Sequence, residues 1–337
     1  MRTPVFILIL TVIGAALYLA FHLFGNDYLF FAGYTVLQYI VMATAWNILG
    51  GYCGYVNFGS AGFFAIGVYS SVCLHTIGAA PEDVFPESIL PAMQLIFPLS
   101  IPALIVIGGA VAGLVGLGMG YLTLRLRGVF FAIATLALAV VLETFITNWS
   151  FVGGSRGAYV IPPNEIPVFG TYIQYLFVLM LILVVVALTT ARTIERSRLG
   201  VGFATIRDDE LAAEATGVPT LKLKLIATVI SGALFGMAGA PFPYYIGYVE
   251  PGSAFNLSYA VNSIAMPMIG GTTFWAGPMI GALLLSTLQQ LVTVTISSAV
   301  NLLITGLLLI GFVILAPRGI IGLWQHWAAK GRKRQSP

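Results

Sequence analysis

The alternation of long apolar runs with short polar breaks divides the chain into ten segments. They lie at about Pro4–Phe24, Tyr28–Leu49, Asn57–Ile77, Phe97–Leu122, Val129–Asn148, Tyr172–Ala191, Leu223–Gly247, Phe255–Gly270, Ala276–Ile296 and Val300–Leu315. A helix needs roughly 20 apolar residues to cross the hydrocarbon core. Eight runs reach that length, and the eighth in order is short enough to fit a re-entrant loop as well as a span. The pattern therefore predicts an all-α integral membrane protein of about ten transmembrane helices, with residues 1–337 as a single transmembrane domain. Composition agrees: 59% of the 337 residues are hydrophobic and 8% charged, against roughly 25% charged in soluble domains.

Charge supplies the orientation. If the N-terminus is cytoplasmic and all ten segments cross, every Lys and Arg except Arg156 falls on the cytoplasmic side: Arg2, Arg125, Arg127, those of the 192–222 loop with Lys224 just beyond it, and those of the tail at 317–337. Asp27, Glu82, Asp83, Glu87, Glu165 and Glu250 fall outside. Retention of positive charge in the cytoplasm predicts this partition, and both termini inside. The first apolar run exceeds a signal-peptide core and has no small-residue cleavage site after it, so it is expected to be retained. Cys53 and Cys73 lack ligand or disulfide spacing and read as packing residues.

Gly109 with Gly113, Gly116 with Gly120, Gly232 with Gly236, and Gly277 with Gly281 follow the small-xxx-small pattern of closely packed membrane helices. Ten spans also admit two sets of five. An odd-numbered repeat must be inverted across the membrane, and the Gly-Gly openings at Gly50 and Gly270 are compatible with one.

The longest cytoplasmic break, Arg192–Lys222, carries the most informative polar pattern. Asp208, Asp209 and Glu210 read as a helix start, where acids complement the helix dipole. Leu211, Ala215 and Val218 share one face, and Gly217 with Pro219 ends the element. A helix over 208–216 follows. Glu210 and Glu214 repel at i, i+4, which leaves two readings: carboxylates offered to a cationic partner, or a solvated acidic face.

These residues carry a resemblance. Glu210-x-Ala212-Ala213-Glu214-Ala215-x-Gly217, preceded by Arg207, resembles the EAA-type loop of ABC importer permeases. The run SRLGVGFATIRDDELAAEATGV followed by ISGALFGMAGA is similar to the branched-chain amino-acid permease family of these importers, in its M-type subunit. NILGGYCGYVNFGSAGFFAIGVY, VGGSRGAYVIPP and MIGGTTFWAGPMIGALLL resemble further motifs of that family, from Trp46 to Trp324. Two departures stand out. The family often reads Ser-Leu-Gly-His where this chain has Asn57-Phe58-Gly59-Ser60, and often has an acid where this chain has Arg156.

The resemblance implies a permease of the bacterial inner membrane. A second related permease would complete the pore. Two cytoplasmic ATPase subunits would carry ATP and Mg, and an external binding protein would deliver substrate. Arg207, Asp208, Asp209, Glu210, Ala213, Glu214 and Gly217 would form the coupling helix. The substrate would be a branched-chain or related hydrophobic amino acid, with urea, short amides or other small acids as alternatives.

The chain has no G-x4-G-K-[ST] stretch, so it is not itself the ATPase. His22, His75 and His326 lie far apart, and neither metal nor cofactor is expected in this chain. The basic tail around Lys330–Arg334 suits anionic lipid, not nucleic acid. Inside the spans, Asn57, Ser60, Phe63, Asn262 and Met266 are either pathway-lining or packing residues. Glu143 is the acid predicted within a span. It is a functional candidate, the anchor of an alternative reading as a stand-alone ion-coupled carrier, or simply hydrated near the outer end.

Overall fold

The computed structural model describes residues 3–79, 97–162 and 170–295, and a few single positions between 303 and 322. Most of the expected tenth segment, of the tail and of the 78–96 loop, together with Glu165, lies outside the described residues.

Helix α1 (Thr3–Phe24) turns at Gly25, where φ is +62°, into α2 (Asp27–Asn47). Asn26 caps α2 by accepting from the Tyr28 N–H at 3.0 Å. A π-helical turn, Ile48–Tyr52, prolongs α2. Next come α3 (Ser60–Ala79), α4 (Ile101–Thr123), α5 (Val129–Thr147), the two-residue strand β1 (Ala158–Tyr159) and α6 (Tyr172–Glu195). Two cytoplasmic helices, α7 (Arg198–Asp208) and α8 (Glu210–Ala215), lead into α9 (Thr220–Gly239). Then follow α10 (Phe242–Ile246), β2 (Tyr248–Val249), α11 (Pro251–Ala254), α12 (Leu257–Gly270) and α13 (Ala276–Thr295).

Among the described residues, 8 helices are long and apolar enough to cross a membrane. They coincide with the first seven expected segments and the ninth. The eighth is α12, a helix of 14 residues. At 1.5 Å per residue it covers about 21 Å, less than the roughly 30 Å core. Asn256 begins it, its side chain accepting from the Ser258 N–H at 2.9 Å, and Pro267 lies within it.

The chain forms two compact units that interleave along the sequence and do not follow the two halves of a five-plus-five repeat. One comprises 1–54, 184–220 and the residues from 261 onward; the other comprises 55–183 and 221–260.

In the first unit, α12 and α13 form a tight antiparallel pair. A Cβ on Gly270 would overlap the Gly277 carbonyl, and one on Gly281 would overlap that of Met266. Helix α13 also packs along α2. The second unit is built on glycine faces. On α4, Gly108, Gly109 and Gly116 meet α9 through Gly236, Met237 and Thr228, and Gly67 of α3 meets Gly236 backbone to backbone. Lipid tails are as apolar as leucine, so these helices associate by close van der Waals contact, which small residues permit.

Each unit also brings together loops that the charge pattern assigns to one side. In the first, the Asn47 amide donates to the Thr272 carbonyl at 3.0 Å and the Trp275 N–H donates to Glu195 at 2.7 Å, all at expected cytoplasmic ends. In the second, β1 pairs antiparallel with β2, Ala158 opposite Val249 and Tyr159 opposite Tyr248, both in expected outer loops.

Candidate coupling site and intramembrane polar residues

The 192–222 loop holds two helices where the sequence pattern predicts one. Ser197 caps the first, its hydroxyl accepting from the Leu199 N–H at 3.1 Å, and Phe203 and Ile206 anchor α7 by burial. Gly200 allows the close turn from α6, because a Cβ there would run into the Ile194 carbonyl. Sequence reasoning missed α7 because Gly200 and Gly202 depress helix propensity. The signals were Ser197 as an N-cap and the i, i+3 pair Phe203 and Ile206.

The second helix is shorter than predicted. Asp208 ends α7 and pairs with its neighbour Arg207 at 3.2 Å. Asp209 leaves the helical region with φ −160° and ψ 108° and caps α8, its carboxylate accepting from Leu211 N–H at 2.9 Å and Ala212 N–H at 3.0 Å. The start therefore falls at Glu210 instead of Asp208. At the other end, the Gly217 N–H donates to Glu214 and the Val218 N–H donates back to Ala213, both at 3.0 Å. Gly217 has φ +84°. This is the Schellman closure, in which a left-handed glycine satisfies the last carbonyls.

One expectation about side chains needs correction. Leu211, expected on a shared apolar face with Ala215 and Val218, is 63% exposed, while Ala213 is 4% exposed and packs inward. Six residues are too few to bury a full stripe, and the caps set the rotation instead. Glu214 is exposed, and its carboxylate accepts from the Thr220 hydroxyl at 2.8 Å, tying α8 to the start of α9. Glu210 is half-buried. The loop is also seated on the end of α2. Gly54 has φ +80°, and a Cβ there would come within 2.9 Å of the Arg207 side chain.

The intramembrane candidates divide between the two units: Asn57, Ser60, Phe63 and Glu143 in the second, Asn262 and Met266 in the first. Asn57 is buried, its side-chain oxygen accepting from the Gly59 N–H at 2.8 Å. Ser60 is buried, and its hydroxyl has no hydrogen-bond partner among the described residues. The Phe63 ring fills the space beside Gly116 and Gly232, and Met266 is buried against Gly281. The Asn262 amide donates to the Tyr39 hydroxyl at 3.3 Å and accepts from Gln289 at 3.1 Å, a polar link between α2, α12 and α13. Glu143 differs: it is part-exposed, one turn before the end of α5, and the Thr147 hydroxyl donates to its backbone carbonyl at 2.8 Å.

Two buried cations escaped the sequence reading, which counted them among loop charges. Lys224 is 2% exposed, and its ammonium donates to the Tyr55 hydroxyl at 3.2 Å and the Leu124 carbonyl at 3.1 Å. It thereby supplies the donor that the last turn of α4 lacks. The Arg192 guanidinium lies 4.1 Å over the Phe6 ring, beside Trp275, a cation–π contact. Among the described residues no three His, Cys, Asp or Glu side chains gather closely enough to hold a metal ion.

Many apolar spans, a doubly capped helix exposed between two of them, and polar side chains spent on helix-to-helix bonds define a multi-pass membrane permease. The chain belongs to the family described as branched-chain amino acid transport system / permease component, which matches residues 28–313. It is 25% identical over 327 residues to the high-affinity branched-chain amino acid transport system permease protein LivM of Escherichia coli (strain K12), covering 88% of this chain and 72% of that protein. It is 26% identical over 241 residues to the probable branched-chain amino acid transport permease protein LivH of Methanocaldococcus jannaschii, covering 67% and 74%. It is also 26% identical over 278 residues to the autoinducer 2 import system permease protein LsrC of Enterobacter sp. (strain 638), covering 81% and 76%. No solved structure matches the chain.

Proposed function

We propose that the chain is one of two related permease subunits in an ATP-driven importer of the bacterial plasma membrane, moving branched-chain or related hydrophobic amino acids inward. ATP and Mg reside on two separate ATPase subunits, one of which receives α8 of this chain. An external binding protein hands over the substrate, and the chain binds no cofactor of its own.

The observation that carries this reading is the construction of α8. It is capped at both ends, by Asp209 and by Gly217. It is tied to α9 through Glu214 and Thr220, and it presents Leu211 to the solvent. A short element held this firmly transmits a push to its neighbours instead of absorbing it. It has two routes inward: along the backbone into α9, and through α7 to Gly54 at the end of α2.

The test is purification of the chain with the products of neighbouring genes, followed by leucine uptake into proteoliposomes. Co-purification of an ATPase and uptake that stops on ATP depletion are expected. Uptake that persists without ATP, and that Glu143→Gln abolishes, would establish the ion-coupled carrier instead.

A further inference from the structure

The phenol of Tyr69 is a buried polar group that neither the packing nor the coupling loop uses. Tyr69 lies in α3, about 15 Å inward from the outer end at Ala79 on a 1.5 Å rise per residue. It is 2% exposed, and its hydroxyl has no hydrogen-bond partner among the described residues. Burying a hydroxyl without a partner is costly, so such a group calls for an explanation.

The surroundings are acidic. The short helix α11 packs against both α3 and α5, and α3 packs against α5 through Gly62, beside Ala139 and Leu142. Phe255, just after α11, stacks on the Tyr69 ring with centroids 6.4 Å apart. This arrangement brings the N-cap of α11, Glu250, and the last turn of α5, with Glu143, into electrostatic range of the Tyr69 hydroxyl, together with Tyr248. Tyr248 spends its own proton on the Arg156 carbonyl at 2.6 Å. All these residues belong to the second unit. Glu250 is exposed, Glu143 part-exposed and Tyr69 buried, so the two carboxylates lie nearer the surface than the phenol.

We propose that Tyr69, Glu143 and Glu250 form a subsite for a primary ammonium group, that of the transported amino acid on its way inward. The proposal rests on the importer reading above. An alkylammonium ion carries three N–H donors, and the subsite offers three acceptors: two carboxylates and the lone pair of a phenol. Its charge offsets one of the two carboxylates, which otherwise repel. A divalent metal suits the site poorly, since calcium takes six to eight oxygens and magnesium a near-ideal octahedron.

The complete importer, with its ATPases, partner permease and binding protein, supplies the test. In proteoliposomes, Tyr69→Phe, Glu143→Gln and Glu250→Gln are each expected to lower the leucine moved per ATP hydrolysed about tenfold. Glu143→Asp, which keeps the charge, should retain more transport than Glu143→Gln. A binding measurement on the same complex without the binding protein compares leucine with 4-methylpentanoate, which lacks only the ammonium. Wild type should prefer leucine, and Glu143→Gln should erase the preference. Glu250 is exposed, so its variant assembles even if the other two do not. Unchanged coupling in Glu250→Gln, or a site that takes sodium and ignores leucine, overturns the subsite. A wild-type complex that moves no leucine overturns the importer reading itself.

Discussion

The Trp275 backbone N–H donates to the Glu195 carboxylate at 2.7 Å, joining the end of α6 to the connection between α12 and α13. Removing the acceptor leaves a part-buried N–H unpaired, at about 1–3 kcal/mol. Glu195→Ala is expected to lower the thermal midpoint of the solubilised chain by several degrees. Glu195→Gln, which still offers a carbonyl oxygen, should lose less than half as much. Midpoints followed by tryptophan fluorescence check the order, and equal losses would remove the hydrogen bond as the cause.

Lys224 gives a second prediction. Replacing it with Met keeps most of the volume and deletes the donor to Tyr55 and to the Leu124 carbonyl. Hydrogen bonds from charged groups contribute about 1.5–3 kcal/mol, and loss in that range is expected. Lys224→Arg should fail to rescue, because a guanidinium overfills a site packed around an ammonium. Urea or thermal unfolding of both variants in detergent measures this.

Glycine positions on one helix should behave oppositely. A Cβ on Gly109 would lie 2.5 Å from Met237 and 3.1 Å from the Ala233 carbonyl, whereas one on Gly118 would have nothing within 4 Å. Gly109→Val is expected to impair folding and membrane yield. Gly118→Ala should be neutral or stabilising by up to about 1 kcal/mol through helix propensity.

At the coupling helix, Asp209→Ala removes an N-cap that contributes about 1 kcal/mol. Leu211→Ala changes only an exposed side chain, and such changes stay within about 0.5 kcal/mol. Both variants are expected to fold with nearly wild-type midpoints and to lose ATP-driven uptake several-fold. A variant that unfolds, or uptake that is unchanged in Leu211→Ala, contradicts a docking role.

The spans were legible because the bilayer enforces apolar length so strictly. Gly217 was legible too, since little else closes a helix that way. The hidden parts were those decided by contacts distant in sequence. Whether Lys224 faces water or a buried carbonyl depends on Leu124, and nothing near it in the chain states this. Asp208 and Asp209 are the same residue type in adjacent positions. Only the prior helix, with its own end to make, decided that one terminates and the other caps. Asn262 read as either a pathway or a packing residue, and it is bonded to Tyr39 and Gln289, because a polar group at that depth takes the nearest partner.

The glycine-faced contact of α4 with α3 and α9 has a mechanical consequence. Interlocked side chains resist shear, because each must change rotamer to pass the next. Where backbone meets backbone, as at Gly67, Gly108 and Gly236, there are few rotamers to change. Such a contact works like a plain bearing: firm against separation, smooth along its length, and jammed by a single added methyl.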